Sequence, residues 1–202
     1  MHALPSKRQS AIDLAQKLRL IRPRDFDAHD LPRAYLFRLS QEGILQRLGR
    51  GLYQYADAPL DSNQSLAEAS KLVPHGVICL LSALRFHDLT TQMPHQVWMT
   101  IASKARAPKI ASPQMHIVRA SGKSLTEGIE SHIIEGVDVR IYSATKTVVD
   151  CFKYRRLVGM EAAIDALRDC RRKRCASSDD IWRFAEICRV TNVMRPYLEA
   201  LS

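Results

Sequence analysis

Residues 22–55, RPRDFDAHDLPRAYLFRLSQEGILQRLGRGLYQY, constrain the fold of this chain more than any other stretch. They read as a short helix, a turn, a second helix and a two-stranded ribbon with a tight basic tip. The second helix is expected over 32–42. Pro32 suits a first helical turn, where its missing N–H costs nothing. Asp30 is placed to cap or flank the start, and Gly43 tolerates the left-handed backbone that ends a helix. With successive side chains about 100° apart, Pro32, Tyr35, Leu36 and Leu39 share one face, and Arg33, Phe37, Arg38 and Gln41 share the other. The first face packs on the preceding helices. The second sets a bare Phe beside two Arg with no acid. Arg and Gln can bond base edges through two atoms at once, and an aromatic ring packs on a thymine methyl or a sugar. The bland alternative puts Phe37 in the core and leaves the arginines as solubilising decoration.

The runs 44–48 and 52–55 alternate and are joined by Gly49-Arg50-Gly51, a hairpin signature. Both glycines are expected to supply positive φ at low steric cost. Arg50 is then held at the tip, with Arg47 nearby, where a wing touches phosphate or the minor groove. The order of elements is that of a winged helix-turn-helix. Ser10 is expected to cap a support helix running to Leu20, after a frayed start at 1–9. Arg22 and Arg24 flank the short helix over 24–28 and are candidates for phosphate contact, with a solvated turn as the equal alternative.

Charge agrees with a polyanionic partner. The 202 residues carry a formal charge of +9, and the isoelectric point is about 9.6. Residues 1–55 hold ten Lys and Arg against five Asp and Glu, so this quarter supplies +5 of the total. An anionic membrane would also suit the charge alone, but no apolar run approaches the ~18 residues of a spanning helix. No signal-peptide pattern opens the chain, and a cytoplasmic location is expected. A chain of this length buries about 70% of its unfolded surface without help from metal or disulfide.

The chain is expected to divide into a DNA-binding unit at 1–55, a polar linker at 56–64 and an α/β unit at 65–202. The fold class is therefore α+β, with a small sheet and a helical C-terminus in the second unit. There, a helix over 65–73 precedes a break at Pro74-His75-Gly76. Residues 77–87, apolar nearly all round, read as a buried helix. Strands are expected at 96–101 and 115–119. The loop between them carries Lys104, Arg106 and Lys109 with no acid, either a second phosphate-contacting patch or a solvated loop. A hairpin over 130–142 turns at Glu135-Gly136, with Val137, Val139 and Ile141 inward and Asp138, Arg140 and Tyr142 on the other face. Ser143 caps the next helix, an amphipathic helix follows over 159–172, and further helices run from Ser178 to Cys188 and over 192–201. Arg171-Arg172-Lys173-Arg174 either offsets a helix dipole or meets an acidic partner or nucleic acid.

No catalytic motif emerges. Phosphate-cradling, dinucleotide, zincin and hydrolase-elbow patterns are all missing. The five cysteines, 79, 151, 170, 175 and 188, lack zinc-finger spacing, and buried free thiols are the expected state. His75, His87, His95 and His116 match no metal site with Cys79. A magnesium-dependent nuclease needs clustered carboxylates; Glu130, Glu135 and Asp138 share one hairpin and Asp150, Glu161 and Asp165 lie on helices, without an acid-x-Lys pair on a strand. No enzyme activity, cofactor or metal is expected.

Four stretches carry a family resemblance: LPRAYLFRLSQEGILQRLGRGLYQY (31–55), SLAEASKLVPHGVICLLSALRFHDLTTQMPHQVWMTI (65–101), SATKTVVDCFKYR (143–155) and NVMRPYLEAL (192–201). Through them the chain resembles the AbiEi-type antitoxins, transcriptional regulators of bacterial abortive-infection, or type IV, toxin–antitoxin systems. The resemblance implies an N-terminal winged helix-turn-helix and a C-terminal α/β antitoxin domain. It implies binding to inverted repeats in the promoter of the protein's own operon, with repression. It also implies a functional partner, an AbiEii-like nucleotidyltransferase toxin, direct contact with which is left open. No membrane partner is implied, and a monomer or weak dimer would place two copies on DNA. Arg33, Phe37, Arg38 and Arg50 carry over only as positions of the recognition helix and wing, and no catalytic residue carries over. One departure is Asp88, where Gly would be expected to end a helix. The alternatives are a nuclease or nucleotidyltransferase-like enzyme delivered to DNA, and a module that grips a toxin directly.

Overall fold

Ser6, not Ser10, opens the first helix. Its hydroxyl oxygen accepts from the Gln9 N–H at 3.2 Å, and α1 (Lys7–Leu18) begins four residues earlier than expected. Ser10 sits inside, its own N–H bonded to the Ser6 carbonyl. The computed structural model describes residues 6–57 and 62–200. Residues 1–5 of the expected frayed start, 58–61 of the expected linker and 201–202 at the end of the last helix therefore lie outside the described residues.

Arg19 takes φ 56° and breaks α1. A two-residue strand, β1 (Leu20–Ile21), follows where helix was expected, because Leu20 and Ile21 pair with Gln54 and Tyr53. In α2 (Pro23–Asp27) Pro23 stands in the first turn and the Asp25 carboxylate accepts from the Arg22 N–H at 2.7 Å. Asp30 does not cap the next helix. It adopts φ 53° and bonds back to the Asp27 carbonyl, and α3 (Ala34–Gln41) starts after Arg33. The end of α3 is as expected. Gly43 has φ 74°, with Gly43 N–H on Ser40 O and Ile44 N–H on Leu39 O, the paired bonds of a Schellman turn.

The hairpin is β2 (Leu45–Gly49) and β3 (Leu52–Tyr55), and the three-stranded sheet runs β1-β3-β2. Only Gly51 has positive φ; Gly49 does not, since a register shift between Arg47 and Gly49 carries part of the bend. One face of this sheet closes a core with α1–α3 that includes Ala15, Ile21, Phe26, Leu36, Leu39 and Leu45. The other face is partly covered: Leu20 and Leu48 pack into a cluster built mainly by the rest of the chain, while Gln46 stays exposed.

The remainder is a five-stranded sheet flanked by helices. Its elements are α4 (Gln64–Leu72), β4 (Val77–Ile78), α5 (Leu80–Phe86), β5 (Val97–Ala102), β6 (Met115–Ala120), α6 (Lys123–Thr126), β7 (Ile129–Ile134), β8 (Val137–Tyr142), α7 (Ala144–Lys153), α8 (Arg155–Val158), α9 (Met160–Arg172), α10 (Ser178–Cys188) and α11 (Thr191–Ala200). The strand order is β6-β5-β4-β8-β7, with β4–β8 and β5–β6 parallel and the other pairs antiparallel. The whole is a mixed α and β structure.

The expected helix over 77–87 is wrong at its start. Val77 and Ile78 form β4 against Thr100 and Met99, and the Cys79 N–H bonds the Trp98 carbonyl, so helix begins only at Leu80. Its end is informative: Asp88 stands at φ 54°, the left-handed conformation that a Gly would supply there. Glu135 and Gly136, at φ 50° and 70°, make the tight turn of the β7–β8 hairpin. Val137, Val139 and Ile141 are buried on one face as expected, but Tyr142 is buried too. Its ring lies in the second core layer, and its hydroxyl donates to the Leu125 carbonyl at 2.7 Å. Ser143 caps α7 by accepting from the Lys146 N–H at 3.3 Å.

Alternation assigns the two faces of this sheet. Val97, Met99 and Ile101 point towards α4 and the N-terminal strands, while Trp98 points into the layer of α5, α7, α9, α10 and α11. The N-terminal helices are bound to the α4 side by named contacts. Arg22 Nη1 donates to the Lys71 carbonyl at 2.9 Å, Lys71 Nζ meets Asp25 at 2.8 Å, and Arg19 Nη1 meets the buried Glu135 at 3.3 Å. Gly136 is pressed so close that a Cβ there would lie 3.1 Å from the Leu18 carbonyl oxygen.

Candidate nucleic-acid interface

The outer face of α3 is open. Arg33, Phe37, Arg38 and Gln41 are all exposed, and Leu36 and Leu39 are buried beneath them. Phe37 keeps 67% of its surface accessible. The ring stands in water beside Arg38, available to a ligand. The alternative that placed Phe37 in the core is excluded.

The cations of this face differ in how they are held. Arg33 is clamped by Asp27, at 2.8 Å from Nε and 2.5 Å from Nη2. The hydrogen bond to Arg33 holds the Asp27 carboxyl below its usual range and raises the guanidinium in turn. Arg38 has no such carboxylate among the described residues; its guanidinium carbon lies 5.8 Å from the Tyr35 ring centre. Glu42, at the end of the helix, is engaged by Arg8 at 2.6 Å. Arg38 is thus the more available cation of the face, and Arg33 must leave Asp27 to present its Nε and Nη2 together to a ligand. The acid partner was missed from sequence; a carboxylate six residues before Arg33, across a turn, was the available signal.

Asp27→Asn is accordingly expected to tighten binding of a polyanion. An exposed pair of this kind is weak, so the gain is small, a few-fold at most. It is read by fluorescence anisotropy with duplex DNA at fixed salt. Unchanged or weaker binding would show that Arg33 is not recruited.

Arg50 is exposed at the hairpin tip, and Arg47, one turn of chain away, bends its Nε to the Gly49 carbonyl at 3.3 Å. Arg24 is exposed, but Arg22 is half-buried, with its Nη1 held by the Lys71 carbonyl. Burial, with Arg24 beside it, pulls the Arg22 guanidinium below its ordinary value. Lys104, Arg106 and Lys109 are exposed on the β5–β6 loop. Arg171 and Arg172 lie elsewhere, at the end of α9 on the opposite layer of the sheet, and are engaged locally by Ser178 at 3.4 Å and Asp169 at 2.8 Å.

Of the carboxylates considered for metal chemistry, four are engaged by neighbours. Glu130 meets His132 at 3.3 Å, Glu135 meets Arg19, Asp138 accepts from Ser131, and Asp165 meets Arg168 at 3.5 Å. No group of three or more metal-ligating side chains converges among the described residues. Cys79, Cys151, Cys170 and Cys188 are buried and Cys175 is exposed. Burial pushes the Cys79 thiol up to about 12, and burial together with Asp150 pushes Cys188 up to about 11. Such thiols stay protonated at neutral pH and make poor nucleophiles.

The most unusual polar group is a buried lysine. Lys146 is fully buried on α7, its ammonium bonded to Asp150 one turn on and 4.3 Å from the centre of the Tyr142 ring. The Cys188 thiol donates to the other Asp150 oxygen at 3.3 Å. This cluster lies in the helical layer, away from α3.

Among solved structures, the crystal structure of the RV2827C protein from Mycobacterium tuberculosis is similar at 13% identity and TM-score 0.62, over 92% of this chain and 73% of that one. At that identity the likeness is one of fold. No curated protein matches the sequence. No helix among the described residues is long and apolar enough to cross a membrane. Residues 9–56 match the family model described as transcriptional regulator, AbiEi antitoxin. The match spans the segment that builds α1–α3 and the small sheet, and supports an AbiEi-type antitoxin regulator there.

Proposed function

We propose that residues 6–57 act as a winged helix-turn-helix on duplex DNA, with α3 in the major groove and the β2–β3 tip as the wing. The chain is then a transcriptional repressor that reads inverted repeats in its own promoter, two copies to a site. It serves as the antitoxin against a nucleotidyltransferase-like toxin, with the part after the linker as the antitoxin domain, and is not itself an enzyme. The observation that carries this reading is the bare outer face of α3, where exposed Phe37 stands beside Arg38 and Gln41 over a buried Leu36–Leu39 seam. Arg38 and Gln41 are assigned to base edges, Arg33 to the same groove once released by Asp27, and Arg50, Arg47 and Arg24 to phosphates. Arg22 drops out, because it is half-buried and its Nη1 is held by the Lys71 carbonyl.

The test is the salt dependence of binding to a promoter fragment. Removing one phosphate-binding cation lowers the slope of log K against log salt by about 0.9. Arg50→Ala is expected to lower it by about that much and to keep the preference for the promoter over a scrambled duplex. Wild-type protein that binds both duplexes equally, or without salt dependence, would sink the proposal.

A further inference from the structure

The β5–β6 loop, residues 103–114, has no part in the reading above, yet it is built like a binding element. It carries Lys104, Arg106 and Lys109 and no carboxylate. All three are exposed, and none is held by an ion pair among the described residues. The start of the loop is fixed. Arg119 Nη1 gathers the carbonyls of Ala102, Ser103 and Ala105 at 3.3, 2.8 and 2.7 Å, and the Ala105 N–H closes a turn on Ala102. Ala105 and Ile110 pack on the buried cluster beneath. A backbone anchored at these points presents its cations with little ordering left to do.

The far end of the loop reaches the hairpin. The Ser112 carbonyl oxygen lies 4.0 Å from where a Cβ on Gly49 would sit, and Pro23 Cδ lies 3.8 Å from the equivalent point on Gly51. The tip that carries Arg50 is therefore flanked by the start of α2, with Arg24, and by the basic loop. β2, which ends at Gly49 beside this loop, is an edge strand of its sheet. Between the loop and the end of α4 is an open cleft of about 300 Å³ lined by Leu72, Val73, His75, Arg106, Pro108 and Lys109. The Arg22–Lys71 and Lys71–Asp25 contacts set α4, and with it the cleft, at a fixed position relative to α2.

We infer that this loop is a second phosphate-binding element, which grips the backbone of the duplex just outside the segment read by α3 and the wing. The inference rests on the proposed DNA-binding role of α3. Its contribution is independent of base sequence, because contacts to phosphate carry no base information. Arg106 and Lys109, at the cleft, are the principal contacts, and Lys104 is the outer one.

The experiment compares wild type, Arg50→Ala, Arg106→Ala with Lys109→Ala, and the triple variant that adds Lys104→Ala. Binding is measured across a salt series on the promoter fragment and on a scrambled duplex. The double variant is expected to lower the salt slope by about 1.8 and the triple by about 2.7, with the ratio of promoter to scrambled affinity unchanged. Arg106→Lys, which keeps the charge, should keep the wild-type slope. A triple variant with the wild-type slope, on a fragment where Arg50→Ala flattens it, overturns the loop's role and leaves the reading of α3 standing. Wild type that binds both duplexes equally but with a steep slope overturns base reading by α3, and the triple variant's slope still decides the loop. Wild type without salt-dependent binding overturns both.

Discussion

Asp150→Ala is expected to destabilise the protein by about 3–5 kcal/mol, because it strands the Lys146 ammonium in the core. That is a large part of the roughly 5–15 kcal/mol that holds a domain folded. Neither close neighbour can take the place of the carboxylate: Lys146 is fully buried, Tyr142 offers only the face of its ring, and Cys188 is itself a donor to Asp150. The companion result separates the pair from its bare absence. Lys146→Met together with Asp150→Leu removes both charges and keeps the volume, and buried pairs replaced in this way are often neutral or stabilising. Urea unfolding measures both. A single variant within about 1 kcal/mol of wild type would mean that the ammonium finds water when its partner goes. DNA affinity of the folded protein should not change, since α7 lies on the layer of the sheet away from α3.

The second large effect is on recognition. Arg38→Ala is expected to weaken binding to the promoter by about 1–3 kcal/mol and to relax base preference, roughly a 5- to 150-fold loss. The structure makes this the sharper of the two helix arginines, because Arg38 stands against the Tyr35 ring alone while Arg33 begins in the grip of Asp27. Competition binding with single-base variants of the promoter reads both consequences. If Arg38→Ala retains the fragment as wild type does, α3 is not the reading helix.

Legibility followed the range of the interactions involved. The two faces of α3 and its end at Gly43 are set by residues within one or two turns, and they were readable. So were the Glu135-Gly136 turn and the Ser143 cap, whose partners lie within a few residues. β1 and β4 were not. Each is two residues long and exists only because a distant strand, β3 or β5, supplies hydrogen bonds. For the same reason Val77 and Ile78 passed for helix: an apolar run buried on both faces shows neither period. The Gly49 backbone was misread because the register shift at Arg47 is a property of the pair of strands. At the interface, the identities of the exposed cations were legible but their availability was not. Arg22 turns inward to α4, forty-nine residues on, and Arg33 is claimed by Asp27 across a turn. The anchoring of the β5–β6 loop on Arg119 left no trace in local spacing.

The seating of Gly136 against the Leu18 carbonyl has a mechanical corollary. A joint with no side chain at its bearing point, pinned on one side by Arg19 and Glu135, leaves little play for independent swivelling. Any side chain at position 136 would act as a wedge, forcing the Leu18 carbonyl away from the turn.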